Sequence, residues 1–372
     1  MENEFYRVTL DPKTGAVKSI FDKDAGHELV DAESDYGLGE LVYVSGGEGT
    51  YAVHSDLNLP APKFTTHRPT AIGLGHINGP VFAEITSKAR AEKLPKITLR
   101  IRLYQGLKRL DLDCELDKEE TTAKEALYVA FPFALAVEKG GLWLEYPDTI
   151  TEPLKDQHAS ACRDWYSVQR WLAASDGGAT VVLSPLDTPL FTLGGMTGST
   201  WPRQLSLKRA HVFAYAMNNY WHTNYKAGQG GRHVFRFSLT SARGAFSKPA
   251  AVREGWEMFC PPVAQRGQGP HKPALSAAAK ALVSLEPASL PLMAFKQAEA
   301  EDGFIFRACD FSGAAGTLKL TLPRPAMETL SCDLVEANAR TQTQGRGATI
   351  TLPVKAFSPV TLKVRFAPVP SS

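Results

Sequence analysis

Leu110-Asp111-Leu112-Asp113-Cys114-Glu115-Leu116 alternates apolar and acidic residues without a break. A period of two sends successive side chains to opposite faces of a strand, so one face meets a core and the other meets water. Just upstream, Ile97-Thr98-Leu99-Arg100-Ile101-Arg102-Leu103-Tyr104 does the same with basic partners. Gln105–Arg109 is short enough to join the two as an antiparallel hairpin. The acidic face of one strand then lies across from the basic face of the other, an arrangement worth about 0.2–1 kcal/mol per pair. At the start of the chain, Phe5–Leu10 and Ala16–Phe21 flank Asp11-Pro12-Lys13-Thr14-Gly15, a second hairpin signal with proline and glycine in turn positions.

The same reading predicts strands at Ala126–Leu135, Trp165–Leu172, Thr180–Leu183, His211–Met217 and His233–Thr240. Later ones follow at Gly303–Ala308, Thr317–Leu322, Ala348–Leu352 and Val360–Phe366. Many short strands with glycine and proline punctuation indicate an antiparallel β-sandwich class, and 25 prolines suit its edges and turns. Helix is scarce: Phe246–Phe259 has a 3.6-residue pattern with Ser247 as N-cap, and Pro261-Pro262 stops it. The expected organisation is a large β-domain over 1–262, a linker over 263–285 and a small C-terminal β-sandwich over 286–372.

Composition narrows the function. The 41 basic and 39 acidic residues nearly balance, with no basic tract of the kind nucleic-acid binding shows. No apolar stretch approaches the ~18–20 residues of a membrane span. The five cysteines are widely spaced and never form a C-x-x-C pair, which reads as reduced thiols rather than a disulfide framework or zinc knuckle. Without a basic and apolar leader at Met1–Phe5, the expected location is the cytoplasm. The nine histidines never pair at metal-ligand spacing, and no His-Glu-x-x-His, Gly-x-Ser-x-Gly or Walker loop occurs, so no metal, cofactor or catalytic residue is assigned to this chain.

Two polar-aromatic runs stand out. Met217-Asn218-Asn219-Tyr220-Trp221-His222-Thr223-Asn224-Tyr225 sets three rings beside three carboxamides, an imidazole and a hydroxyl. Flat rings and fixed donors are what a sugar needs; the alternative is a buried aromatic corner whose asparagines cap neighbouring backbone. In Arg163-Asp164-Trp165-Tyr166-Ser167-Val168-Gln169-Arg170-Trp171, alternation puts Trp165, Ser167, Gln169 and Trp171 on one face. That face is a sugar platform or a tryptophan-filled core, with Arg163 and Asp164 as an ion pair at the strand entrance. Asp164 is the best single candidate for a general acid or base. A glycosidase usually needs a second carboxylate nearby, and Glu152 and Asp156 lie upstream in a loop.

In this order, the runs resemble the C-terminal β-region of glycoside hydrolase family 38, the α-mannosidases, in its bacterial branch. The similar segments are Glu2–Asp11 with Gly15 and Ser19–Lys23, Tyr128–Phe133, Arg163–Trp171, Met217–Tyr225 with Arg236–Leu239, and Phe304–Ala308 with Asp310–Gly313. The resemblance implies a galactose-mutarotase-like β-supersandwich followed by a small β-sandwich. It also implies that the nucleophilic aspartate and the zinc belong to an N-terminal catalytic domain not represented here, on the same or a companion chain. By that resemblance Asn218, Asn219, Trp221, Thr223, Asn224, Tyr225 and Arg307 are the candidates to face a mannoside cleft. The expected function is the cleft-shaping β-portion of an α-mannosidase-like hydrolase, inactive by itself. The alternative is a stand-alone carbohydrate-binding or mutarotase-like module. Nucleic acid and membrane are not expected as partners.

Overall fold

The computed structural model describes residues 1–47, 63–147, 149–196, 202–220, 226–264, 282–287, 289–341 and 347–367. The chain is almost wholly β, with one helix among the described residues. It divides into two compact units, residues 1–146 with 151–246 and residues 147–150 with 247–372. The division falls at Phe246/Ser247 rather than at 262, so the helix Lys248–Phe259 opens the second unit instead of closing the first. Of the expected linker, residues 265–281 lie outside the described residues.

In the larger sheet of the first unit, Gly141–Tyr146, Leu172–Ser175, Ala179–Pro185, Gly231–Arg243, Leu110–Lys118, Leu94–Tyr104, Phe82–Ala91 and Thr70–Asn78 follow in hydrogen-bonded order. The hairpin that decides the fold sits in its middle, with Arg100 opposite Asp113 and Arg102 opposite Asp111. Neither of these two pairs closes straight across. Arg100 reaches the diagonal Glu115 at 2.9 Å, Arg102 reaches Glu84 on the neighbouring strand at 2.6 Å, and Asp111 takes both arms of Arg109 at 2.8 Å. Long guanidinium stems reach diagonal and next-strand neighbours as easily as direct ones.

The second sheet has six strands, in the order Tyr166–Ser167, Leu190–Leu193, His211–Asn218, Glu125–Pro132, Glu40–Gly46 and Phe64–His67. Leu127, Val129 and Phe131 from it join Leu99, Ile101 and Leu112 of the larger sheet in one buried core, and the Phe131 and Phe237 rings meet at 4.8 Å. Two antiparallel sheets face to face over one core make the supersandwich. A three-stranded sheet, Tyr6–Leu10, Val17–Asp22 and His27–Glu28, is tied to them where the Tyr6 hydroxyl meets Ser241 Oγ at 2.8 Å. Its first turn is the expected one, with Gly15 at φ +76° and its N–H on the Asp11 carbonyl.

The expected strand Trp165–Leu172 is not one strand. Tyr166–Ser167 pairs in the six-stranded sheet, whereas Leu172–Ser175 pairs in the larger one. Between them Arg170 turns inward, and its guanidinium binds buried Glu145 Oε1 at 3.0 Å. The switch of sheets breaks the alternation, so Trp165 and Trp171 part: Trp171 is fully buried beside Phe246, and Trp165 stays half-buried.

The second unit is a seven-stranded antiparallel sheet around Phe306, Leu318, Leu320, Ile350, Leu362 and Val364. Its helix starts where the sequence places it, with the Ser247 side chain accepting from Ala250 N–H and proline in the first turn. Asp310 organises a tight corner by accepting from the Ser312, Gly313 and Phe357 N–H groups. No helix among the described residues is long and apolar enough to cross a membrane.

Candidate functional site

Strand alternation in the six-stranded sheet sends Leu41, Val129, Phe131 and Val212 to the core and leaves Val42, Val44, Ala126, Tyr128, Phe213 and Tyr215 on the other face. An antiparallel sheet usually turns such a face to water. Here it carries a second apolar cluster, joined by Tyr36, Phe64, Trp165, Met196 and Tyr220 from flanking segments. Val44, Tyr128, Phe213, Tyr215 and those flanking residues line a cavity of about 340 Å³ with Glu33, Ser34, Asp35, Thr66 and His211. That size and its mix of rings with a few convergent polar groups suit a small ligand.

The rings are ordered. Tyr128 stacks on Tyr215 at 4.8 Å and 26°, and Trp165 continues the row at 6.5 Å and 20° from Tyr215. Tyr36 meets Phe213 edge-on at 5.8 Å, as Phe64 meets Tyr220 at 5.5 Å. Both geometries are favourable for aromatic quadrupoles. Burial pushes the Tyr128 and Tyr166 hydroxyls well above their ordinary range, and the charge of fully buried Asp164 adds to both.

A charged network backs the His211 part of the wall. His211 Nε2 lies 2.7 Å from Asp31 Oδ2, Arg209 pairs with the other Asp31 oxygen, and the second arm of Arg209 reaches Glu33 at 3.0 Å. Burial alone would raise the Asp31 carboxyl. The Glu33 N–H, His211 and Arg209 outweigh it and hold Asp31 below the usual carboxylate range. Beside it, buried Glu40 takes both arms of Arg68 at 2.6 and 2.8 Å, and the guanidinium lies 5.3 Å over the Tyr36 ring. The lining thus combines apolar ring surface with the His211 imidazole and the Glu33 and Asp35 carboxylates.

Residues 1–140 match the family described as glycosyl hydrolases family 38 C-terminal domain. That stretch is similar to the family's C-terminal domain. An alpha-mannosidase from Enterococcus faecalis V583 aligns over 99% of the chain at 14% identity with a TM-score of 0.67. A protein in glycosyl hydrolase family 38 from Enterococcus faecalis aligns over 99%, at 14% identity and a TM-score of 0.66. The chain spans only 42% and 44% of those two structures. A galactose 1-epimerase from Lactobacillus acidophilus aligns over 65% of the chain and 93% of its own length, at 9% identity and a TM-score of 0.40. No curated protein matches the sequence.

The residues expected to face a cleft end up in different places. Asn218 ends the strand His211–Asn218, half-buried and opposite Ala126. Asn219 is buried, with its side-chain Oδ1 accepting from Glu125 N–H at 3.0 Å and its Nδ2 donating to the Ala227 carbonyl at 3.4 Å. Its carboxamide caps backbone. Trp221, Thr223, Asn224 and Tyr225 lie outside the described residues. Arg307 belongs to the second unit, where its Nε reaches Thr361 Oγ1 at 3.0 Å and its Nη2 the Leu334 carbonyl at 2.7 Å.

Arg163 does not serve as the expected strand-entrance partner of Asp164: its guanidinium donates to the carbonyls of His158, Ala159 and Ala161. Glu152 and Asp156 are bound into one local turn, in which the Asp156 carboxylate accepts from Glu152 N–H at 2.7 Å. The described residues do not fit a zinc site, since no three histidine, cysteine, aspartate or glutamate side chains among them converge.

Tyr36, Phe64, His211, Phe213 and Tyr215 were not singled out by the sequence. The strand holding the last three was legible, but not which of its faces mattered. Their signal is aromatic character on the face opposite the core, and it appears only once the sheet order is known.

Proposed function

We propose that this chain is the β-portion of an α-mannosidase-like glycoside hydrolase and that it frames a carbohydrate cleft. The observation that carries this reading is the ring-lined cavity on the open face of the six-stranded sheet, with His211 in its wall held from behind by Asp31. A pyranoside presents an apolar C–H face to rings and hydroxyls to carboxylates, which is the chemistry the cavity supplies. The nucleophile and zinc are assigned to a catalytic domain of the same or a companion chain. Five free cysteines support work in a reducing cytoplasm.

The chain, supplemented with zinc and given an aryl α-mannoside, is expected to show no turnover; hydrolysis above buffer would refute the assignment of catalysis elsewhere. The second reading, a stand-alone carbohydrate-binding or mutarotase-like module, draws on the cavity being completed within one unit. Titration calorimetry with mannose and short mannosides separates the two. Affinity that is lost in Trp221→Ala favours the module, and heat-free titrations favour the cleft-shaping portion of a larger enzyme.

A further inference from the structure

Thr70–Asn78 is the last strand of the larger sheet, paired on one side only with Phe82–Ala91. Among the described residues no strand pairs with its other side, where the Lys13 carbonyl caps only Ala71 N–H. The free run from Ile72 to Asn78 is about 23 Å long at ~3.3 Å per residue. Natural sheets protect such edges with lysine, proline or inward charge. This strand, Thr-Ala-Ile-Gly-Leu-Gly-His-Ile-Asn, holds no charged residue, and its prolines, Pro69 and Pro80, lie outside it.

The exposed side chains make the edge more unusual. Ile72, Leu74, Ile77 and the adjoining Val81 are 56–64% exposed. Leu74 and His76 line a groove of about 350 Å³ with Met1 and Ile85. Ile77, one residue on, points to the opposite face beside Glu84. Apolar surface therefore flanks the edge on both faces. A domain lying on one face would cover half of it, whereas a strand added to the edge covers both.

We infer that the added strand is Thr70–Asn78 of a second copy, paired antiparallel about a two-fold axis so that the two larger sheets run on as one. Paired antiparallel about a two-fold axis, residue i of the strand faces residue j of its copy with i + j constant, so any net charge on the strand would be set against itself and disfavour the pairing. An uncharged strand avoids this, and one two-fold contact satisfies the same free edge on both copies at once. A strand edge of this length buries well under ~1,200 Å² in total, the range of weak, reversible complexes.

Sedimentation equilibrium of the whole chain between about 1 and 200 µM tests it. The weight-average mass is expected to approach twice that of one chain at the upper end. Leu74→Lys and Ile77→Lys are expected to stay at the mass of one chain with an unchanged melting temperature. Val234→Lys removes an exposed apolar side chain from an interior strand of the same sheet and is expected to dimerise like the parent. Amide exchange at 72–78 should slow as concentration rises. A parent chain that stays monomeric throughout, or a Leu74→Lys chain that dimerises as the parent does, overturns the inference.

Discussion

Asn219 and Glu125 hold each other by two hydrogen bonds: Asn219 Oδ1 accepts from Glu125 N–H at 3.0 Å, and Asn219 N–H donates to the Glu125 carbonyl at 2.9 Å. The clamp closes the end of the strand pair His211–Asn218 and Glu125–Pro132, and the next residue is Tyr220 of the cavity wall. A residue picked out for sugar chemistry is thereby a structural anchor for the cavity.

Replacing Asn219 by alanine leaves a buried Glu125 N–H without its acceptor, at a cost of about 1–3 kcal/mol. Urea unfolding of Asn219→Ala is expected to show a midpoint loss of that size. A loss under about 0.5 kcal/mol, the level of an ordinary surface change, would show that the clamp is not needed.

The Glu125 side chain continues the network into the interior. Its carboxylate pairs with Lys118, whose side chain is 1% exposed, and accepts from the Tyr43 hydroxyl at 2.8 Å. Breaking a buried pair by removing one partner costs about 3–5 kcal/mol, because the other charge stays buried alone. Lys118→Met is expected to lose that much in urea unfolding. Lys118→Met with Glu125→Gln should recover a large part of it; a double variant as unstable as the single one would refute the pairing argument.

How far the sequence was legible depended on where water lies. Ile97–Tyr104 and Leu110–Leu116 could be read because one face of each is polar, and both are strands. Glu40–Gly46 escaped, since Leu41 and Tyr43 face the core while Val42 and Val44 face the second apolar cluster, so no alternation marks it. Trp165–Leu172 was misread because Arg170 is drawn to Glu145 by a contact distant in sequence. The cavity was opaque for the same reason. Tyr36, Phe64, Tyr128, Trp165 and Tyr215 come from separate segments, and only sheet pairing brings them together.

Asp31, which holds His211 of the cavity wall, carries a pH signature. Its carboxyl is held below the ordinary value by Glu33 N–H, His211 and Arg209 against the effect of burial. A depressed folded value stabilises the protein above the unfolded value of about 3.9, and that stabilisation is lost as pH falls through the lower folded value. The stability gap between the parent and Asp31→Asn is therefore expected to be constant near neutrality and to shrink between about pH 5 and 2. Thermal unfolding at stepped pH checks this, and a gap that widens toward acid would reverse the sign and refute the assignment.

Trp165 is the half-buried end of the ring row that runs through Tyr215 to Tyr128, so it can be removed without touching the two stacked tyrosines. A ring contact contributes about 0.5–1.5 kcal/mol beyond its area, which is up to roughly a tenfold change in affinity. Trp165→Ala is expected to weaken binding of a short mannoside by that factor, either in this chain or in its complex with a catalytic domain. Trp171→Phe is the matched control. Trp171 is fully buried next to Phe246 and absent from the cavity wall, so its variant should lower the melting temperature and leave affinity alone. Equal losses of affinity in both variants would mean that the sugar reads the stability of the unit rather than the rings of the cavity, and the site would have to be sought elsewhere.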